Sequence, residues 1–154
     1  PFMCVHTVAD NHAPGFLQNL MAKEKPEYLG DVLKLLKQIP EYRQAMKERL
    51  APPKIILGDA NKKAGKIFVD MTGGTEGSKD IFKNLSQAGI DTLLCMHLSE
   101  EHFKKSKEAR INVIIAGHIP SDTLGLNLLL DRIEKKEKFK IIPCSGFRRI
   151  KRKQ

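Results

Sequence analysis

Short aliphatic and β-branched runs, each closed by a glycine or a polar residue and followed by a segment with helical spacing, recur along this chain. That alternation limits its fold more than any other feature. Lys54 to Leu57, Lys66 to Met71, Thr92 to Met96 and Val113 to Ile115 read as strands, as do the outer runs Phe2 to Val5 and Phe139 to Pro143. Between them, two amphipathic segments run from Tyr28 to Leu50, with Leu29, Val32, Leu33 and Leu36 in the first, Pro40 as the break, and Tyr42, Met46 and Leu50 in the second. Pro14 reads as a helix start with Phe16, Leu17 and Leu20 on one face and Asn11 or His12 in the cap region. Ile81, Phe82 and Leu85 mark another helix, and Ser99 to Arg110 another again with Ser99 as its cap. Short strands alternating with helices predict one layered α/β domain over residues 1–154, its mostly parallel or mixed sheet covered by helices.

The stretch Asn112 to Asp131 carries the most chemistry. Its strand Val113-Ile114-Ile115 ends at Ala116-Gly117, and His118 and Asp122 follow on the exit. Pro120 suits a first helical position, and Leu124, Leu128 and Leu129 recur at helical spacing, so a helix is expected at or just after Ser121. Ligands of open α/β sheets bind at the carboxyl ends of strands, where an imidazole and a carboxylate four residues apart can share a metal ion. The pair fits a capped helix start with a hydrogen-bonded histidine as well. Ligation gains weight because three of the five histidines have an acidic residue four places on: His6 with Asp10, His97 with Glu101, His118 with Asp122. Each pair follows a strand-like run, so all three are expected at one end of the sheet.

A second strand-to-helix junction, Thr72-Gly73-Gly74-Thr75-Glu76-Gly77, has backbone amides suited to an anion. It lacks the P-loop lysine and the full dinucleotide spacing, so a bare tight turn competes with a phosphate cradle at Gly73 and Gly74.

Composition sets outer bounds. The chain has 154 residues, 41% of them hydrophobic, enough for one core. No apolar run approaches the roughly 18 residues of a membrane span, and no cleavable signal pattern is present, so no membrane partner and a cytoplasmic location are expected. Cys4, Cys95 and Cys144 are widely separated, each in an apolar run, and read as reduced core residues. The formal charge is +9, and Arg148, Arg149, Lys151, Arg152 and Lys153 supply five of those units near the end. Such a tail is either a solvated terminus or a handle for phosphates or nucleic acid. With two tyrosines, no tryptophan and no aromatic residue interleaved with the tail's cations, base stacking is a poor fit.

His6-Thr7-Val8-Ala9-Asp10, together with Leu98 to Leu130 and its Gly117-His118 and Ser121-Asp122, resembles the NGG-interacting-factor-three-like family. Its members are also described as dinuclear metal centre hexameric proteins or type 2 GTP cyclohydrolase I homologues. The resemblance implies a toroidal hexamer with two divalent metal ions per subunit. These are held by a paired-histidine motif, the Asp of His-Thr-x-x-Asp and a late His-x-x-x-Glu. Asp10 and His118 match as metal ligands, and Asp122 stands where the family usually has Glu. His6 matches the histidine that lies close to the metals, and His97 stands where relatives tend to have an acidic residue. The paired histidines have no counterpart here, so the chain is expected to be the C-terminal portion of a longer family protein.

Zinc, iron, manganese and nickel all suit such ligands. The chemistry implied is metal-assisted hydrolysis of a phosphoester or nucleotide, with His6 or His97 as general acid or base and Gly73 and Gly74 holding a substrate phosphate. The alternative is a non-catalytic metal-binding ring that contacts nucleic acid or a regulatory protein partner.

Overall fold

A computed structural model describes residues 5–50, 52–72, 77–78, 80–144 and 147–152, with the side chains of residues 5–7 and 10 excepted. Six helices and four strands follow in the order α1 (Val5–Glu24), α2 (Leu29–Gln38), α3 (Pro40–Lys47), β1 (Lys54–Leu57), β2 (Ile67–Asp70), α4 (Ile81–Gln87), β3 (Thr92–Cys95), α5 (Glu100–Glu108), β4 (Asn112–Ile115) and α6 (His118–Glu134). The sheet order is β1-β4-β3-β2. The β2, β3 and β4 strands run parallel, and β1 pairs antiparallel with β4 through an irregularity between Ile55 and Leu57. This is a mixed α/β sheet, as the alternation predicts.

Period-two alternation in the two central strands builds a core on each face of the sheet. Leu94, Met96 and Ile114 pack on one side with Leu17 and Met21 of α1, Leu29, Val32 and Leu36 of α2, Tyr42 of α3 and Leu124 of α6. Leu93, Cys95 and Val113 face the other way, toward Phe82 of α4 and Ile111. A strand buried on both faces reads as a continuous apolar run, which is why β3 and β4 stand out in the sequence. Each fully buried leucine or isoleucine contributes about 1.5–3 kcal/mol by transfer from water.

The β2 strand is an edge, and α1 closes it. The Gln18 side chain donates through Nε2 to the Ile67 carbonyl (3.2 Å) and accepts at Oε1 from the Val69 amide (3.1 Å). One side-chain amide thus occupies the positions a further strand would take, which blunts the edge against pairing with another chain.

Three sequence expectations change. Phe2 to Cys4 lie outside the described residues, but Val5 to Asp10 are helical, not a strand end with an exit loop, and Pro14 lies inside α1 rather than at its start. Ala9, Ala13, Leu17 and Met21, spaced four apart and all buried, extend the packed stripe back through this segment. That packing outweighs the roughly 3 kcal/mol an interior proline costs. Phe139 to Pro143 form no strand. One edge of the sheet is already met by Gln18, Ile142 is exposed, and an apolar run with nothing to pair stays irregular. Cys144 is exposed rather than buried, whereas Cys95 is a core residue as expected and Cys4 lies outside the described residues. No described helix is long and apolar enough to cross a membrane.

Candidate metal centre

Hydrogen bonding between β3 and β4 continues past the strands. After the Cys95–Ile115 register pair, the Ala116 amide donates to the Cys95 carbonyl (2.7 Å) and the Gly117 amide to the Met96 carbonyl (3.2 Å). The two chain exits therefore leave the sheet side by side. Gly117 sits at φ +100°, a conformation that side-chain-bearing residues resist, and this turns the chain directly into α6 with His118 as its first residue. The helix thus starts three residues before Ser121, and Pro120, which needs no donor in a first turn, is its third residue.

Two of the histidines picked out in the sequence meet here. The rings of His97 and His118 stack with centroids 5.1 Å apart and planes 18° from parallel. One turn along α6, Asp122 Oδ2 lies 3.4 Å from His118 Nε2, and both side chains are part-exposed. The first turn of α6 is fixed from beneath. Ser121 Oγ donates to the Gly117 carbonyl (2.6 Å), and the fully buried Tyr42 hydroxyl lies 2.9 Å from that same Oγ. Burial pushes the Tyr42 phenol well above its ordinary range, so it stays protonated and donates to Ser121.

His6 and Asp10 belong to α1, and their side chains lie outside the described residues. Their neighbour His12 is described. Arg132 Nη1, in the last turn of α6, donates to His12 Nε2 (3.0 Å), and His12 Nδ1 donates to the Val8 carbonyl (2.7 Å). His118 and Asp122 lie in the first turns of that helix. Glu101 is exposed in the first turn of α5. Gly73 and Gly74 lie outside the described residues, but their flanks are held. Asp70 Oδ1 accepts from the amide (3.0 Å) and hydroxyl (2.6 Å) of Thr72, and His102 Nε2 donates to the Gly77 carbonyl (3.0 Å). His102 Nδ1 lies 2.8 Å from Ser99 Oγ, which also accepts the His102 amide and so caps α5 as its sequence predicts.

Asp70 is a residue the sequence reading passed over. It stands at the carboxyl end of β2 just as His97 and His118 follow β3 and β4, and its position after the run Ile67-Phe68-Val69 was the available signal.

The donor set could supply part of a metal shell. A tetrahedral ion with bonds of about 2.0–2.1 Å spaces its ligands about 3.3–3.4 Å apart. The His118–Asp122 spacing of 3.4 Å fits that edge and exceeds the roughly 2.7–2.9 Å of a strong charge-assisted hydrogen bond. Among the described residues, no three His, Cys, Asp or Glu side chains converge on one point. The described residues therefore offer at most two donors at this point, His118 and Asp122.

The basic tail is not simply a solvated end. Arg149, with a side chain only 8% exposed, pairs with Asp131 and Glu134, Lys151 pairs with Glu134, Arg152 with Glu41, and Arg148 with Glu48. Carboxylates of α6, α3 and the α3 C-cap thus neutralise every described cation of the tail. The described cations of the tail already have partners within the fold, while Arg148 and Lys151 keep most of their side chains exposed.

The profile of the Duf34/NIF3 (NGG1p interacting factor 3) family matches residues 2–146. Among solved structures, an NIF3 superfamily protein from Sphaerobacter thermophilus superposes with a TM-score of 0.63 at 24% identity, over 84% of this chain and 46% of that one. At that identity the likeness is one of fold. The chain spans less than half the length of that relative. No match was found among curated proteins.

Proposed function

This chain belongs to the Duf34/NIF3 family, one with a dinuclear metal centre, and from that premise we propose that it binds divalent metal through His118 and Asp122. The carrying observation is the 3.4 Å spacing of an imidazole nitrogen and a carboxylate oxygen at the carboxyl end of the parallel sheet. Asp10 is the third proposed ligand from this chain, and the remaining positions fall to groups outside the described residues.

Two divalent ions bound there would supply an activated water and a clamp for an oxyanion, the requirements for hydrolysing a phosphoester or nucleotide. The chain's own residues do the positioning. Tyr42, Ser121 and the Gly117 carbonyl lock the first turn of α6, which aims His118, and the His97 ring covers one face of the His118 imidazole. Proton transfer is assigned to His97 and His6, and the Gly73-Gly74 turn to a substrate phosphate. Assembly into a hexamer belongs to the same proposal.

Elemental analysis of purified protein tests the ligands. His118→Ala and Asp122→Ala are each expected to lower the metal bound per chain. Unchanged metal content in both variants refutes the assignment. Light scattering tests assembly, and a strictly monomeric species at working concentration refutes the hexamer.

A further inference from the structure

Beside the stacked histidines lies a cavity of about 300 Å³, on the face of the sheet opposite α1 and α6. Its walls are Phe68, Ile81, Phe82, Leu85, Leu93 and Leu98, and its polar groups include Asp70 and His97 at the strand ends. Its volume is at the lower end of the range for small-molecule sites, and its make-up, apolar walls with a few convergent polar groups, is theirs too. Phe68 and Ile81 at its rim are 39% and 42% exposed.

The chemistry of the lining narrows the occupant. The described lining holds Asp70 and no lysine or arginine, which favours an uncharged group over an anionic one in the part of a ligand that enters it. Two phenylalanine rings and four aliphatic side chains favour a flat apolar body over a hydrated one. Asp70 adds one directional demand. Its Oδ1 is held by the amide and hydroxyl of Thr72, and Oδ2 makes no hydrogen bond among the described residues, so it can accept one from a ligand.

We infer that this cavity binds a planar, uncharged ring system carrying an N–H donor, with the ring between Phe68 and Phe82 and the N–H on Asp70 Oδ2. The inference deepens the proposed function, because a ligand so held ends beside His97 and therefore beside the His118–Asp122 pair. It rests on that reading only for what happens to the ligand, not for its binding.

Indole and benzofuran, two rings of similar shape of which only indole carries an N–H, test it on the full chain by methyl-resolved NMR titration. Indole is expected to give saturable shifts at Ile81, Leu85, Leu93 and Leu98. Benzofuran is expected to bind about 10-fold more weakly, the effect of one hydrogen bond to a charged acceptor at a part-exposed site. Asp70→Asn keeps the Oδ1 acceptor for Thr72 and turns the other position into a donor. It should weaken indole by about the same factor and should not weaken benzofuran, whose ring oxygen can accept from the new amide. No saturable shift with either ring overturns the site, and so do shifts confined to other methyls. Equal affinities for the two rings overturn the role of Asp70. His118→Ala separates the two proposals, because it should lower metal content while indole still binds. A wild type that holds metal but gives no saturable indole shift would sink the ring site alone.

Discussion

Arg152 is expected to be worth more to stability than any other charge in the tail, because its partner cannot reach water. Glu41 has a fully buried side chain, and Arg152 Nη2 bridges both its oxygens at 2.8 and 2.7 Å while Asn127 Nδ2 adds a third bond at 3.1 Å. The guanidinium also lies over the Phe16 ring, 5.5 Å from its centroid, which ties the tail to α1 as well as to α3. Arg152→Met keeps much of the stem's packing but leaves the carboxylate with Asn127 alone. Breaking a buried pair by removing one partner costs about 3–5 kcal/mol. Arg152 is itself 23% exposed, so water can partly replace it, and the low end of that range, about 3 kcal/mol, is the expected loss. For a chain of this length that lowers Tm by roughly 6–12 °C. Thermal unfolding followed by circular dichroism reads the shift, and a double-mutant cycle with Glu41→Gln isolates the pair. The double variant should be more stable than the sum of the two single losses by about 1 kcal/mol or more. A Tm drop under about 2 °C for Arg152→Met, or strict additivity in the cycle, would show that the clamp carries no such energy.

Two further outcomes follow, one from the tail and one from the β2 edge. Hydrogen bonds from Lys151 and then Arg149 hold the Glu134 carboxyl below its ordinary value of 4.5. Its contribution to holding the tail is therefore complete above pH 4.5 and fades as pH falls through the depressed value in the folded protein. The protection factor of the Ile150 amide, which donates to Asn127 Oδ1 at 3.0 Å, should fall across that acid window once the intrinsic pH dependence of exchange is divided out, and Glu134→Gln should remove the pH step. Gln18→Ala leaves the Ile67 carbonyl and Val69 amide without their partner and should cost about 1–3 kcal/mol. The opened edge should also make self-association rise with concentration in sedimentation experiments, whereas wild-type behaviour would show that the edge is protected by other means.

The parts of the molecule that were legible in the sequence are those whose pattern is local. Thr92 to Cys95 and Asn112 to Ile115 are buried on both faces, so nearly every position is apolar, and the polar residues that follow mark the strand ends. The meeting of His97 and His118 follows from two parallel strands ending in register. The Pro40 break was equally plain, since Ile39 and Pro40 separate two helices with their own apolar stripes. The segment Val5 to Asp10 was not legible, because a short run such as Phe2 to Val5 fits strand and helix equally, and the deciding stripe Ala9, Ala13, Leu17, Met21 begins inside the stretch in question.

The tail shows a different limit, set by charge rather than by periodicity. Arg148 to Arg152 carry a dense positive charge when read alone, and Pro40 reads as a break with Tyr42 on the apolar face of the helix that follows, with nothing local to mark Glu41. The two segments lie more than 100 residues apart, and each has a burial that only the other explains. Asn127 is the link. Itself fully buried on α6, it donates to Glu41 Oε1 and to the Arg148 carbonyl, and accepts from the Ile150 amide and from Arg149 Nη1. Its burial next to Asp131 and Glu134 turns that end of α6 into an acidic cradle, and a chain passing over it needs cations at the positions the arginines occupy. An isolated charge run is thus ambiguous in sequence, because the carboxylates that decide between a solvated tail and a structural strap are brought to it only by the completed fold.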